Sequence, residues 1–141
     1  MTDAIELLRR DHDEVRALLS ELEGSADPVR PGDREGRRAA VVQVIIRESV
    51  HEAIEEQYFW PVVRRRVHDG GRLADQAVSQ EIELKKVLDL LAGLDPGAPD
   101  FEPLLRQLTG IGRAHHEFEE RQVWPGVRLA LSEQELSLIH I

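Results

Sequence analysis

Two segments of the chain carry histidine and glutamate at the same helical spacing. The first is residues 51–61, HEAIEEQYFWP, and the second is residues 115–125, HHEFEERQVWP. Aligned without a gap, both copies have histidine first, paired glutamates four and five residues later, and Trp-Pro at the end. Residues four apart lie on nearly the same face of a helix, so each copy directs an imidazole and a carboxylate to one side. We interpret each copy as half of a metal-chelating site.

The helix that precedes each copy contributes a further polar residue to a buried position. In a helix predicted over residues 3–23, His12 interrupts an otherwise aliphatic stripe. In a helix predicted over residues 72–92, Glu81 interrupts the equivalent stripe. Apolar residues recurring every three to four positions mark the core-facing side of a helix, so both residues are expected to point inward. The sequence therefore predicts an internal repeat in which one helix pair occurs twice.

Two longer helices are predicted over residues 34–67 and 100–130, with loops at 25–32 and 93–99 that are rich in proline and glycine. Four amphipathic helices with short connections are typical of an up-down-up-down bundle. The sequence thus predicts an all-α, four-helix bundle with a short C-terminal helical turn.

Local signals refine the helix ends and faces. Thr2 or Asp3 is expected to cap the first helix, and Ser132 with Glu135 predicts a capping box for the last turn. Pro61 is expected to bend the second helix, because proline lacks the backbone N–H that the helix needs. The inward stripes are expected to continue through Tyr58, Val62 and Gln122.

Six polar residues fall on the inward stripes at matching height: His12, His51, Glu55, Glu81, His115 and Glu119. Three buried carboxylates repel one another and are costly to desolvate, and bound cations would resolve both problems. Imidazole and carboxylate ligands without sulfur suit iron or manganese, with zinc as a further alternative. Six ligands are too many for one four-coordinate zinc and suit two metals bridged by Glu55 and Glu119. His12 and His51 are expected on one metal, and Glu81 and His115 on the other.

Each of these residues, taken alone, has an ordinary structural explanation that needs no metal. A lone buried histidine is more often a hydrogen-bonded core residue, and a lone His-x-x-x-Glu is more often a surface pair. Two copies in register, each with a matching polar residue on the preceding helix, favour metal binding. Glu52 and His116 stay open as additional ligands or as partners of ligands. Four other residues are expected to lie outside the site: Glu56, Glu120, His68 and His140.

Composition excludes several classes of function. The chain of 141 residues is long enough for one domain with its own core, and it contains no cysteine, which excludes thiolate metal sites and cysteine nucleophiles. Its formal net charge of -9 opposes nucleic-acid binding. No stretch predicts a membrane span or a signal peptide, and a cytoplasmic protein, monomeric or homodimeric, is expected.

The doubled motif resembles the hemerythrin-like HHE cation-binding domain family. The resemblance covers residues 3–136, so we expect one domain at 1–136 and treat the apolar residues 137–141 as a tail, with a foreign origin as one interpretation. It implies two iron ions joined by an oxo or hydroxo bridge, held by His12, His51, Glu55, His115 and Glu119. The family usually has histidine at the position of Glu81. A carboxylate there still ligates iron but favours the ferric state, so reversible oxygen carriage is not expected.

The resemblance leaves more than one function open. The first is a non-heme di-iron protein that reacts with or senses a small oxidant, namely dioxygen, peroxide or nitric oxide, with weak peroxide-consuming or oxidase-type activity. The second is an iron storage or sensing module whose metal occupancy controls stability or a partner. A purely structural bundle with a satisfied polar core is the third.

Overall fold

The computed structural model describes residues 3–24 and 31–139, which form helices. Seven α-helices are present in these ranges: α1 Ala4–Gly24, α2 Pro31–Ile54, α3 Trp60–Arg66, α4 Gly70–Ala92, α5 Phe101–Phe118, α6 Trp124–Ala130 and α7 Glu133–Ser137. Two π-helical turns join them, π1 at Glu55–Phe59 between α2 and α3, and π2 at Glu119–Val123 between α5 and α6. Helix α1 packs against α2, and α4 packs against α5. The predicted all-α, four-helix bundle is confirmed. Each of the second and fourth long helices is interrupted by one π turn.

The helix ends follow local capping chemistry. The backbone N–H of Glu6 donates to Asp3 Oδ1 over 2.9 Å, and the Asp3 N–H donates back to Glu6 Oε2 over 3.1 Å. Ser132 and Glu135 form the predicted capping box at the start of α7. The predicted cap Thr2, the loop residues 25–30 and His140 lie outside the described residues. Helix α2 begins earlier than predicted, at Pro31, because proline suits the first turn of a helix.

Both π turns directly precede a proline. Pro61 and Pro125 cannot donate the backbone hydrogen bond that an α-helix requires at their positions. The N–H of the residue before each proline instead reaches five residues back: Trp60 donates to the carbonyl of Glu55, and Trp124 to the carbonyl of Glu119. The chain therefore gains one residue in each turn, which begins at the chelating glutamate.

The extra residue changes which side chains face the core. Tyr58 was predicted to point inward but is 39% exposed, whereas Phe59 is fully buried. Gln122 is likewise exposed, and Val123 is buried in its place. A uniform helical period was therefore wrong beyond the two chelating glutamates. The predicted bend at Pro61 takes the form of a wide turn immediately before it.

Two apolar clusters fill the core, one on each side of a polar layer. One cluster surrounds Phe59, Trp60 and Trp124, and it includes Leu136 of α7. The other includes Leu84 and lies at the opposite end of the bundle. On α1, His12 separates the residues that belong to the two clusters. No helix in the described part of the chain is long and apolar enough to cross a membrane.

We expect Gly70→Ala to destabilise the protein and Gly71→Ala not to. A β-carbon on Gly70 would lie well inside van der Waals contact of the Val63 carbonyl oxygen, whereas one on Gly71 would meet no atom within 4 Å. Such overpacking costs roughly 1–3 kcal/mol, while alanine in an open helical position gains up to about 1 kcal/mol over glycine. Denaturant unfolding of both variants measures the difference. Equal stabilities would contradict the packing described at the α3–α4 junction.

Candidate metal centre

The six polar residues singled out by the sequence meet in the layer between the two apolar clusters. Glu55 and Glu119 are fully buried, and the three histidines are at most 2% exposed. Glu81 is the most accessible of the six at 7%. Glu55 and Glu119 are the first residues of π1 and π2, so each stands at the end of the α-helical segment that carries its histidine.

The donor atoms of the six residues form two adjoining groups. His12, His51 and Glu119 each offer one atom to the first group, and Glu55, Glu81, His115 and Glu119 each offer one atom to the second. Within each group the atoms lie within 4.8 Å of one another. Glu119 belongs to both groups.

Contacts across the layer bring the groups together. His115 Nε2 lies 2.7 Å from Glu119 Oε1 and 3.6 Å from Glu81 Oε1. His12 Nε2 lies 3.7 Å from Glu119 Oε1 on the other side. His51 Nε2 lies 3.1 Å from Glu55 Oε1. Glu119 therefore stands between histidines of the two halves of the repeat, and Glu55 lies beside His51 and shares a donor group with His115.

Most of the inward-facing polar atoms lack a hydrogen bond. Eight atoms of the six residues are buried without an aligned partner among the described residues: Nε2 of His12, His51 and His115, both carboxylate oxygens of Glu55 and of Glu119, and Oε1 of Glu81. Buried polar atoms are nearly always hydrogen-bonded, so eight orphans in one place need an explanation. Their chemistry, imidazole nitrogen and carboxylate oxygen, is that of ligands for a hard or borderline metal ion.

The opposite ring nitrogen of each histidine does have a partner. Nδ1 of His51 lies 2.9 Å from Asp11 Oδ2, Nδ1 of His115 lies 2.8 Å from Gln80 Oε1, and Nδ1 of His12 lies 3.3 Å from Glu120 Oε2. An amide oxygen and an ionised carboxylate can only accept, so Nδ1 carries the proton in each ring. In the neutral, metal-ligating form of each ring, Nε2 therefore presents its lone pair to the centre.

Sequence reasoning missed Asp11 and Gln80, and it expected Glu120 to face water or a neighbouring helix. Glu120 reaches α1, which is the second of these alternatives. A signal for the first two was available: each directly precedes the inward residue of its helix, so the two occupy equivalent positions in the repeat. Nothing in an aspartate or glutamine at a helix surface distinguishes it from a solvated residue until the neighbouring helix is placed.

Burial and crowding shift the pKa values of the carboxylates in opposite directions. Burial, together with the charge of Glu119, raises the pKa of Glu55 well above its usual range. Burial also acts to raise the pKa of Glu119, but the close approach of Glu55 and the charge of His115 outweigh burial and hold this pKa well below its usual range. For His115, burial lowers the pKa but Glu119 outweighs it and raises the pKa to about 10. Without metal, protons must supply the positive charge that this layer requires.

The two residues left open by the sequence behave differently. His116 Nε2 lies 2.9 Å from Glu48 Oε1, and the His116 ring stacks on the ring of His12 with centroids 4.1 Å apart. His116 belongs to neither donor group. Glu52 is also outside both groups, although burial and the charge of Glu81 raise its pKa to about 8.

A stack of side chains covers the His12 side of the centre. The ring of His12 lies between His116 and Trp124, whose centroid is 4.9 Å away, and the Arg9 guanidinium lies 4.9 Å above the Trp124 ring. Glu120 holds His12 and is itself held by Arg16. These contacts fix the orientation of His12 and keep solvent from it.

The Glu81 side carries a cavity of about 560 Å³, which we call the access cavity. Its lining includes Glu52, Glu56, Trp60, Val78, Glu81 and Lys85. Glu81 thus connects the second donor group to a space that reaches the surface.

The chain is similar to known proteins in sequence and in fold. Residues 3–127 match the family described as "Hemerythrin HHE cation binding domain". The fold is similar to the crystal structure of a hemerythrin HHE cation binding domain-containing protein from Mycobacterium kansasii, with a TM-score of 0.81 and 22% identity over 97% of this chain and 80% of that one. A DNA nickase from Nostoc sp. is 28% identical over 130 residues, which are 92% of this chain and 35% of that protein. The chain therefore spans about a third of the length of that relative.

The family match covers the chain from the start of α1 to the middle of α6, and so it contains both copies of the chelating motif. It also contains every residue of the two donor groups. The chain belongs to the hemerythrin HHE cation binding domain family and is a metal-binding protein.

Proposed function

We propose that the centre holds two iron ions and reacts with a small oxidant such as dioxygen, peroxide or nitric oxide. The observation that carries this proposal is the convergence of eight unpartnered donor atoms in two groups that share Glu119. Two cations would offset the charge of three buried carboxylates and give each orphaned atom a partner. Imidazole and carboxylate ligands favour iron or manganese over metals that prefer sulfur.

The two donor groups assign the residues to the two ions. His12, His51 and Glu119 would hold one ion, and Glu81, His115, Glu55 and Glu119 the other. His51 lies close to Glu55 as well, so Glu55 can serve both ions. Bound iron would supply one-electron redox chemistry and Lewis acidity at this position.

The residues around the ligands prepare the centre for metal. Asp11, Gln80 and Glu120 keep a proton on Nδ1 of the three histidines and so direct each Nε2 inward before any ion arrives. Partners of this kind raise the basicity of a ligating imidazole and fix its orientation. The two apolar clusters exclude water from the layer on both sides.

Glu81 sets the redox character that we propose. A carboxylate in place of a neutral imidazole adds one negative charge to the ligand set, which stabilises the higher oxidation state and lowers the reduction potential. We therefore expect the reduced centre to be oxidised by dioxygen rather than to bind it reversibly. Modest consumption of peroxide is the enzymatic activity that this centre would support, and iron storage or sensing without turnover is the alternative.

We do not expect this chain to cleave DNA, although the Nostoc relative is named a DNA nickase. A net charge of -9 opposes the approach of a polyanion, and this chain matches only 35% of that protein. We propose that the partner of the centre is a small molecule and not a nucleic acid.

We expect the metal-free protein to lose stability as the pH rises from about 4.5 to 8. In this interval Glu52 and Glu55, and above pH 6.5 also His115, hold protons that the unfolded chain releases, because folding raises their pKa values. Each additional proton held by the folded state contributes about 1.4 kcal/mol per pH unit. Removing the metal should therefore lower the melting temperature at pH 7, and mild acid should partly restore it.

Thermal unfolding of metal-free and metal-loaded protein across this pH range measures the effect. Glu55→Gln should flatten the pH dependence of the metal-free protein, because it removes one buried titrating group. Glu56→Gln, at the exposed neighbouring position, is the matched control and should not. Identical melting temperatures with and without metal at pH 7 would argue against this account of the charge balance.

Asp11→Ala should weaken metal binding, whereas Asp13→Ala should leave it unchanged. Both aspartates lie on α1, but only Asp11 contacts the Nδ1 of a histidine of the site. Loss of such a partner typically lowers metal affinity by roughly 10- to 100-fold. Competition with a chelator gives the two affinities. If the variants bind metal equally well, Asp11 does not position His51.

The proposed function is tested by reducing the iron-loaded protein without oxygen and then admitting air. Elemental analysis should first give two irons per chain, lost in a His51→Ala/His115→Ala double variant and kept in His68→Ala, whose histidine is exposed. The absorbance should then change slowly and irreversibly to that of the oxidised protein. Glu81→His should raise the potential and slow this oxidation, and Glu83→His, at an exposed position of the same helix, should not. A long-lived spectrum that reverses when oxygen is removed would refute this interpretation of Glu81.

A further inference from the structure

The two halves of the repeat differ in how tightly they enclose the centre. On the His12 side, Arg9, Trp124, His12 and His116 lie in contact as a stack. Glu120 bonds to both His12 and Arg16. His12 is 1% exposed, so this side of the centre is closed to solvent at His12.

The equivalent residues on the other side cannot build the same cover. In the sequence repeat, Val78 replaces Arg9, Glu81 replaces His12 and Glu52 replaces His116, so no ring remains to stack on Trp60. Glu56 and Lys85, which correspond to Glu120 and Arg16, form no ion pair within the described part of the chain. The access cavity occupies the space that this missing cover leaves beside Glu81.

We propose that the access cavity is the route by which an uncharged oxidant of two or three heavy atoms reaches the centre. This inference rests on the proposed function. The cavity borders Glu81, and Glu81 Oε1 lies 3.6 Å from His115 Nε2, so a guest in the cavity stands next to the second donor group. Ile82, which is 53% exposed, forms part of the cavity mouth.

The charge of the lining does not favour anions. Glu52, Glu56 and Glu81 face the cavity with the two cations Lys85 and Arg64, and Arg64 is already paired with Asp75 at 2.8 Å. Because Arg64 is neutralised by Asp75 and Lys85 shares the wall with Glu56, the lining has no surplus of positive charge to attract an anionic oxidant, whereas a neutral one needs no such attraction. Glu52 Oε1 is buried without a hydrogen-bond partner and can bond to a polar guest such as hydrogen peroxide.

Reversible blocking of the cavity mouth tests the route. The chain has no cysteine, so Ile82→Cys provides a single thiol at the mouth, and Asp13→Cys places one at the equivalent exposed position on the covered side. Each iron-loaded protein is compared before and after an uncharged benzyl group is attached to the introduced thiol through a disulfide bond. The first probe is nitric oxide, added to the reduced protein without oxygen and followed by stopped-flow absorbance. The second measurement is the rate of oxidation by hydrogen peroxide. Ile82→Trp gives a block without a thiol.

We expect blocking at position 82 to slow the response to nitric oxide by roughly tenfold, since access then requires a conformational change. Blocking at position 13 should change it less than twofold, at equal iron content. Equal slowing at both positions, no slowing at position 82, or an unmodified protein that does not respond to nitric oxide would overturn the proposed route. If blocking acts as expected but neither peroxide nor dioxygen oxidises the iron, the route stands and the proposed reaction with dioxygen or peroxide fails.

Discussion

Three carboxylates buried beside three imidazoles are the constraint on which the rest of this molecule depends. In an apolar core such a group is tolerated only if positive charge is supplied, by metal ions or by protons. The opposite pKa shifts of Glu55 and Glu119 express the same need, since one of two touching carboxylates must keep a proton when no cation is present. Every other feature of the layer, from the protonated Nδ1 atoms to the apolar clusters on either side, presupposes that this charge is balanced.

Each chelating glutamate marks a change of helical geometry that ends beside a proline. Each chelating glutamate is the first residue of a π turn, and each turn ends just before the Trp-Pro pair. A wide turn of this kind is rare in helices and is frequently found at functional sites. His51 before the turn and Glu55 at its start point into the polar layer, whereas Phe59 at its end and Val63 after it pack into the adjoining apolar cluster.

Much of this arrangement can be predicted from the sequence. The remainder cannot, and the physical reasons can be named. The six inward residues, the repeated helix pair and the capping box at Ser132 follow from local spacing and side-chain chemistry. The exposure of Tyr58 could not be derived, because a proline reveals a missing donor but not which wider turn replaces the lost bond. Asp11 and Gln80 become recognisable only when the facing helix is present. The different surroundings of His116 and Glu52 arise from packing between helices, which a single sequence does not encode in any local pattern.

The polar layer also divides the interior into two apolar clusters of similar size, and this division bears on cooperativity. Residues of the two clusters belong to the same long helices but touch different neighbours, so each end of the bundle has the composition of a separate cooperative unit. The layer between the units brings together side chains of α1, α2, α4, α5 and the two π turns. We therefore expect the charge balance of this layer to influence whether the two ends unfold together. The binding site thus also forms the junction between the two halves of the core.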